Sequence, residues 1–80
     1  MTHVHVQYFA VLREQAGCSR ETVVTGAATA AELYDELRDR HGLRLPRSTL
    51  RVAINEEFTD WSHPLGDGDQ VVFIPPVAGG

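Results

Sequence analysis

Polar and apolar residues alternate near the start of the chain, in the segment THVHVQYFA. A period of two is typical of a strand with one face buried. The face predicted to be buried carries Val4, Val6, Tyr8 and Ala10, and the opposite face carries His3, His5, Gln7 and Phe9. The β-branched segment ETVVT, at 21–25, predicts a second strand that returns as a hairpin. Between them, EQAGCSR breaks the pattern with a glycine and predicts a connection longer than a tight turn.

The segment TAAELYDELRDRHG predicts the main helix. Thr29 is the expected N-cap, and Glu32, three residues later, completes a capping box. Gly42 is placed to end the helix. The apolar residues of this helix lie on one face and form a stripe that must pack on a sheet to be buried. The stripe consists of Ala30, Leu33, Tyr34 and Leu37.

The second half of the chain predicts three further strands. The third strand covers 50–55, a short fourth strand follows a turn within EEFTDW, and the last strand covers 70–74. The segment HPLGDGD before the last strand has one proline, Pro64, and two glycines, Gly66 and Gly68, which are typical of a turn. Pro75 and Pro76 end the last strand because they lack backbone donors.

The predicted order is strand, strand, helix, strand, short strand, strand. Two hairpins on either side of one helix indicate an α+β roll, the β-grasp (ubiquitin-like) architecture, in which a mixed sheet packs on the helix. The first and last strands can then pair in parallel at the sheet centre. We therefore expect a β-grasp domain at 1–74 and a flexible C-terminal Gly-Gly tail at 75–80.

Composition narrows the class of partner. A chain of 80 residues supports one core. Because no apolar stretch approaches the length of a membrane span, we expect a cytoplasmic protein and no membrane partner. A net charge of −4 argues against nucleic-acid binding and suits a basic protein partner. The single cysteine, Cys18, excludes an intramolecular disulfide framework.

The ending FIPPVAGG is the most distinctive chemical feature of the sequence. Glycine suits a backbone that threads a narrow passage, and the segment from Pro75 to Gly80 reaches about 20 Å at about 3.3 Å per residue. The Gly80 carboxyl is an anion at neutral pH and therefore a poor acyl electrophile. A nucleotide-dependent partner could activate it as an acyl adenylate, after which a sulfur donor leaves a thiocarboxylate.

Three segments carry a resemblance to a known family: YFAVLRE near the start, AINEEF in the middle, and HPLGDGDQVVFIPPVAGG at the end. On these residues the chain resembles the small, sulfur-carrying subunit of molybdopterin synthase over essentially its whole length. The resemblance implies a β-grasp fold. It also implies that Gly80 carries the sulfur as a thiocarboxylate and that Gly79 lets the terminus enter a partner's pocket.

The resemblance further implies the partners. An adenylyltransferase similar to ubiquitin-activating enzymes uses ATP to adenylate Gly80, and a sulfur donor protein supplies the sulfur. The large subunit of molybdopterin synthase binds cyclic pyranopterin monophosphate, receives the sulfur and forms the molybdopterin dithiolene, usually within a heterotetramer. The small chain contributes a cosubstrate, and no bound cofactor is expected in it.

Strand alternation predicts a docking face beside the tail. If Val71 and Phe73 point inward, Ile74 points outward and can join Phe9 and Phe58 in an exposed apolar patch with Arg13 at its rim. The resemblance supports partner contacts there, with Pro75, Pro76 and Val77 leading into the partner. Ile74 departs from the aromatic residue often found at its position, and an ordinary core role for Phe9 or Phe58 is the alternative.

The remaining polar residues suggest no second site. His3 and His5 share a strand face but lack an evident third ligand, so no metal site is expected. Asp67 and Asp69 lack the full calcium-loop pattern and are interpreted as turn residues. Cys18 has no cationic or metal context that would make it a reactive thiolate.

Three other functions stay open. A sulfur carrier for thiamine thiazole synthesis shares the fold and the Gly-Gly end, although the Pro75-Pro76 ending and the length favour molybdopterin. A ubiquitin-like modifier would attach its terminus to lysines of other proteins. A ubiquitin-like interaction module would use no terminal chemistry and would function without Gly79 and Gly80.

Overall fold

The computed structural model describes residues 1–76, which form a five-stranded sheet, two helices and a short 3-10 turn. The helices are α1, Ala10–Ala16, and α2, Ala30–His41, and the 3-10 turn is Arg47–Thr49. The strands are β1, Thr2–Tyr8; β2, Arg20–Thr25; β3, Arg51–Ile54; β4, Glu57–Thr59; and β5, Gln70–Ile74.

The strands lie in the order β2-β1-β5-β3-β4. The central pair, β1 and β5, is parallel, and the other three pairs are antiparallel. The prediction that the first and last strands lie side by side at the sheet centre is confirmed. The α+β, β-grasp class predicted from the sequence is also confirmed.

The apolar stripe of α2 packs on one face of the sheet, here called the inner face. The Tyr34 ring of α2 meets the Phe73 ring of β5 at 5.2 Å between centroids, in an edge-to-face arrangement. Trp61, from the loop after β4, stacks on the same Phe73 ring at 5.9 Å. The inward direction predicted for Val71 and Phe73 is confirmed, because both side chains are fully buried.

Both ends of α2 are capped close to the prediction. The Thr29 hydroxyl accepts a hydrogen bond from the Glu32 N–H at 3.3 Å. The Glu32 carboxylate accepts a bond from the N–H of Ala28, one residue before the expected partner. Gly42 ends the helix with a φ of 71° and donates its N–H to the Arg38 carbonyl at 2.8 Å.

Helix α1 lies where the sequence was interpreted as a strand end and a loop. Ala10 was placed on the buried face of the first strand, but β1 ends at Tyr8 and Ala10 is an exposed residue that begins α1. A positive φ of 51° at Ala10 turns the chain from strand to helix. The helix has only seven residues and buries one side chain, Leu12, so it leaves a weak periodic signal.

A two-residue turn joins β3 to β4. Asn55 and Glu56 have φ values of 52° and 72°, as a type I′ hairpin turn requires. Asn55 suits this conformation, and its side chain accepts the Gln70 N–H at 3.0 Å and donates to the Asp69 carboxylate at 2.9 Å. Glu56 occupies the second central position of the turn, where its positive φ is unfavourable for a residue with a Cβ. Its side chain is exposed.

We expect Glu56→Gly to stabilise the fold by about 0.5–1 kcal/mol, because glycine adopts positive φ without the penalty of a Cβ. The free energy of unfolding, measured by urea titration, tests this. Asn55→Gly is the matched control, since it relieves the same strain but removes two side-chain hydrogen bonds, and we expect it to destabilise the protein. A less stable Glu56→Gly variant would contradict the turn assignment.

Candidate functional site

The end of β5 is the part of the described chain from which the tail continues. Because β1 and β5 are parallel, their carboxyl ends lie at the same edge of the sheet, with Tyr8 beside Phe73 in register. Residues 74–76, here called the tail root, follow that pair. Pro75 is buried and Pro76 is exposed. The tail root is therefore anchored by a buried proline at the end of the central strand.

The face of the sheet turned away from α2, here called the outer face, carries an apolar row near the tail root. Val72 of β5 is opposite Ala53 of β3, which is opposite Phe58 of β4. Phe58 is 64% exposed, and the Arg51 guanidinium lies 5.6 Å from the centre of its ring. Arg51 is itself opposite Ile74, so this row reaches the tail root.

Phe9 flanks the tail root on the other side. It follows the Tyr8–Phe73 pair by one residue, which places it level with Ile74, and it is 42% exposed. Its exposure was predicted, but it is the N-cap of α1 and not a strand residue. Three strand spacings, about 14 Å, separate β1 from β4, so Phe9 and Phe58 stand on opposite sides of Ile74.

The docking face is defined here as Phe9, Phe58, Val72 and Ile74. Val72 and Ile74 are half-buried on the outer face, and the outward direction of Ile74 agrees with the alternation. Arg13 is exposed on α1, one turn after Phe9, and its N–H bonds to the Phe9 carbonyl at 3.4 Å. The core role considered for Phe9 and Phe58 is wrong, because both side chains are exposed.

The residues expected to perform the terminal chemistry, Gly79 and Gly80, and the expected contact residue Val77 lie outside the described residues. Of the two prolines expected to contact a partner, Pro76 is the exposed one.

A polar cluster next to the tail root was not predicted. The Tyr8 hydroxyl donates to Glu21 Oε2 at 2.6 Å, and His41 Nε2 donates to the same oxygen at 2.6 Å. The cluster connects the end of β1 to β2 and to the last turn of α2. The one available signal was the tyrosine on the buried strand face, since a buried hydroxyl needs a partner.

The cluster changes the acidity of its members. Burial acts to raise the pKa of Glu21, but hydrogen bonds from Tyr8 and His41, with the charges of His41 and Arg40, lower it below its ordinary value. Burial raises the pKa of Tyr8, and its hydrogen bond to Glu21 raises it further. Glu21 is therefore a carboxylate that accepts two hydrogen bonds at neutral pH.

Other candidate residues have structural roles in the described part of the chain. The Asp67 carboxylate accepts the His3 N–H at 2.8 Å and Asp69 accepts the Gly66 N–H at 2.7 Å, which confirms them as turn residues.

Burial, followed by the charge of Glu21, raises the pKa of the Cys18 thiol. Within residues 1–76 no three metal-ligating side chains come together. No helix in that range is long and apolar enough to cross a membrane.

Within residues 1–76, the parallel central strands, the one long helix and the last strand, which leads into the tail root, define a ubiquitin-like β-grasp protein. The ThiS family model matches residues 6–80. The chain therefore belongs to the ThiS family.

Curated relatives and solved structures agree with this membership. The molybdopterin synthase sulfur carrier subunit of Escherichia coli (strain K12) is 36% identical over 80 residues, which cover 96% of this chain and 99% of that relative. In the protein-protein complex of subunits 1 and 2 of molybdopterin-converting factor from Helicobacter pylori 26695, one chain is 28% identical, with a TM-score of 0.69 and coverage of 99% of this chain and 100% of that one. The small archaeal modifier protein 1 of Haloferax volcanii is 27% identical to this chain, with a TM-score of 0.79. The match covers 96% of this chain and 100% of that one.

We expect Glu21→Gln to lower the free energy of unfolding at pH 7 by about 1–2 kcal/mol, because an amide is a weaker acceptor for two donors than a carboxylate. The pKa of Glu21 is lower in the folded chain than its ordinary value of 4.5. The stabilisation is therefore fully present above pH 4.5 and is lost as the pH falls through the folded-state pKa. Urea titrations across this pH range measure it.

The matched control is Glu57→Gln, which removes the charge of an exposed carboxylate that makes no side-chain hydrogen bond in the described part of the chain. We expect its effect to stay within about 0.5 kcal/mol at every pH. A Glu21→Gln deficit that does not shrink in acid would show that Glu21 acts through packing and not through its charge.

Proposed function

We propose that this chain is a sulfur carrier, the small subunit of a molybdopterin synthase, and that its Gly80 carries the sulfur. The observation that supports this most strongly is the full-length similarity to curated sulfur carrier subunits, with 36% identity in the E. coli case. The architecture is compatible with the role. The tail root directly follows β5, which lies in the middle of the sheet between β1 and β3.

The proposed chemistry takes place within partner proteins. In an adenylyltransferase, the Gly80 carboxylate attacks the α-phosphate of ATP and releases pyrophosphate, which forms an acyl adenylate. A sulfur donor protein then supplies sulfur at the sulfide level; this sulfur bonds to the acyl carbon, the bond to AMP breaks, and a thiocarboxylate remains on Gly80. In the large subunit, two thiocarboxylated chains each transfer one sulfur atom to cyclic pyranopterin monophosphate, and water supplies the oxygen that returns each Gly80 to a carboxylate. ATP is consumed by the activating enzyme, and this chain holds no cofactor.

The docking face is the proposed contact with the large subunit. Its exposed aromatic side chains lie on both sides of Ile74, and its half-buried aliphatic side chains lie on β5. The H. pylori complex shows that a related chain assembles with a second subunit. An apolar centre with charged residues at its rim is the usual composition of such an interface. The body of the chain would then bind outside the pocket that admits the tail.

We expect removal of Gly80 to abolish sulfur transfer while the fold and the affinity for the large subunit are retained, because the docking face lies in residues 1–76. The full-length chain is thiocarboxylated and mixed with the large subunit and cyclic pyranopterin monophosphate, and both the dithiolene product and the terminal mass are followed. A variant with one glycine added after Gly80 is the control that moves the reactive group without shortening the chain. Continued transfer after removal of Gly80 would overturn the proposal.

We expect Phe58→Ser to weaken binding to the large subunit about tenfold or more, because it removes an exposed aromatic anchor from the docking face. Val24→Ser is the matched control, since Val24 is 47% exposed on the same sheet face but lies on β2, away from the docking face. Calorimetric titration of both variants measures the affinities. Equal losses for the two variants would exclude a specific role for the docking face.

Protein modification is the second candidate, and the similarity to the H. volcanii modifier favours it. In that case an activated Gly80 forms an isopeptide bond with lysines of other proteins. Conjugates of full-length chain detected by mass spectrometry, and lost on removal of Gly80, would support it. A carrier for thiamine thiazole synthesis would instead form the thiocarboxylate and leave cyclic pyranopterin monophosphate unchanged.

A further inference from the structure

The basic residues of this chain fall into two groups. All seven are arginines, and the sequence contains no lysine. Three of them, all on or near α2, form salt bridges with Asp35 or Glu36; these are Arg38, Arg40 and Arg47. The other four lie within residues 1–76 and have no carboxylate within salt-bridge distance there; these are Arg13, Arg20, Arg44 and Arg51.

Three of these four arginines lie at the sheet edge from which the tail continues. Arg51 is opposite Ile74, the last residue of β5. Arg20 begins β2 opposite Gln7, next to the end of β1. Arg13 follows Phe9 by one helical turn on α1. Arg13, Arg20 and Arg51, here called the arginine collar, therefore stand around the tail root on three different elements.

The opposite edge of the sheet is acidic. Asp67 and Asp69 lie in the turn that contacts the start of β1, where the Gly68 N–H bonds to the His3 carbonyl at 2.7 Å. Glu56 is in the turn between β3 and β4 at that same edge. At the collar edge the nearby acidic residues are Glu14, Glu21 and Asp60, and Glu21 already accepts hydrogen bonds from Tyr8 and His41. Within residues 1–76 no collar arginine has a carboxylate within salt-bridge distance, so its charge is not neutralised by a direct contact where the tail begins.

We propose that the arginine collar binds carboxylates on the molybdopterin synthase large subunit, around the opening that admits the tail. This inference rests on the proposed function and adds Arg20 and Arg51 to the rim predicted from the sequence. Guanidinium groups bind carboxylates in a bidentate geometry and stay charged at every physiological pH. Because the collar arginines lie at one edge and Glu56, Asp67 and Asp69 lie at the other, the charge distribution orients the chain with its tail towards the partner before contact.

The apolar residues between the arginines favour a protein surface as the occupant. A polyanion such as nucleic acid requires a continuous cationic stripe along its phosphates. Here the docking face interrupts the collar, and Arg51 covers the Phe58 ring. Charged groups around an apolar centre match the anatomy of a protein interface.

The test measures association and dissociation rates of the full-length chain with the large subunit, at about 0.05 M and about 0.5 M salt, where screening differs strongly. The variants are Arg20→Gln, Arg51→Gln and the double variant. We expect the double variant to associate about tenfold more slowly than the original chain at low salt and at nearly the same rate at high salt. The control is Arg38→Gln, which removes an equal charge that Asp35 already compensates. We expect its association rate to stay within about twofold of that of the original chain.

The outcomes separate the two proposals. If the original chain does not bind the large subunit, the proposed function fails and the collar fails with it. If the original chain binds and the variants associate equally fast at low salt, the collar alone is overturned. A deficit that persists at high salt would show that Arg51 acts by packing on Phe58, which also overturns the collar. Recovery of the rate by Arg51→Lys, which keeps the charge, would support it.

Discussion

The parallel pairing of β1 with β5 is the constraint on which the rest of the structure depends. Parallel strands cannot be joined by a tight turn, so everything between Tyr8 and Gln70 serves as the connection that brings the last strand beside the first. That connection supplies α2, which covers the inner face, and the two edge strands of the sheet, β2 and β4. The Val6–Val71 and Tyr8–Phe73 pairs set the register. As a result, the start of α1 and the tail root lie at the same edge of the sheet.

This arrangement separates the residues that hold the tail root from those that face a partner. On the inner face, Phe73 is fully buried and is contacted by the rings of Tyr34 and Trp61. The Tyr8–Glu21–His41 cluster connects the same edge to β2 and α2. On the outer face, the neighbouring residues of β5 are only half-buried. The end of β5 is therefore held by buried contacts on the inner face, while its outer side chains are available to a partner.

The sequence predicted the elements whose signal is local. The last strand was predicted at 70–74 and observed there, because two prolines end it, and α2 was recognised from its cap, stripe and terminal glycine. Helix α1 was missed because one buried leucine in seven residues gives no periodicity, and Ala10 was misplaced because a positive φ at alanine has no sequence signature. The Glu21 cluster joins residues 13 and 20 positions apart. Its members and the collar arginines meet only through the tertiary fold.

The position of the docking face limits how a sulfur carrier can work. In the proposed cycle the activating enzyme and the large subunit both receive the same tail, so both must cover the same edge of the sheet, and the chain can bind only one of them at a time. Turnover then requires dissociation between activation and sulfur transfer. A small apolar centre keeps dissociation fast, because affinity differences between related complexes lie mostly in the dissociation rate. Charges around the rim raise the association rate with less effect on dissociation, so in the proposed cycle the collar arginines speed capture by the large subunit without a long-lived complex.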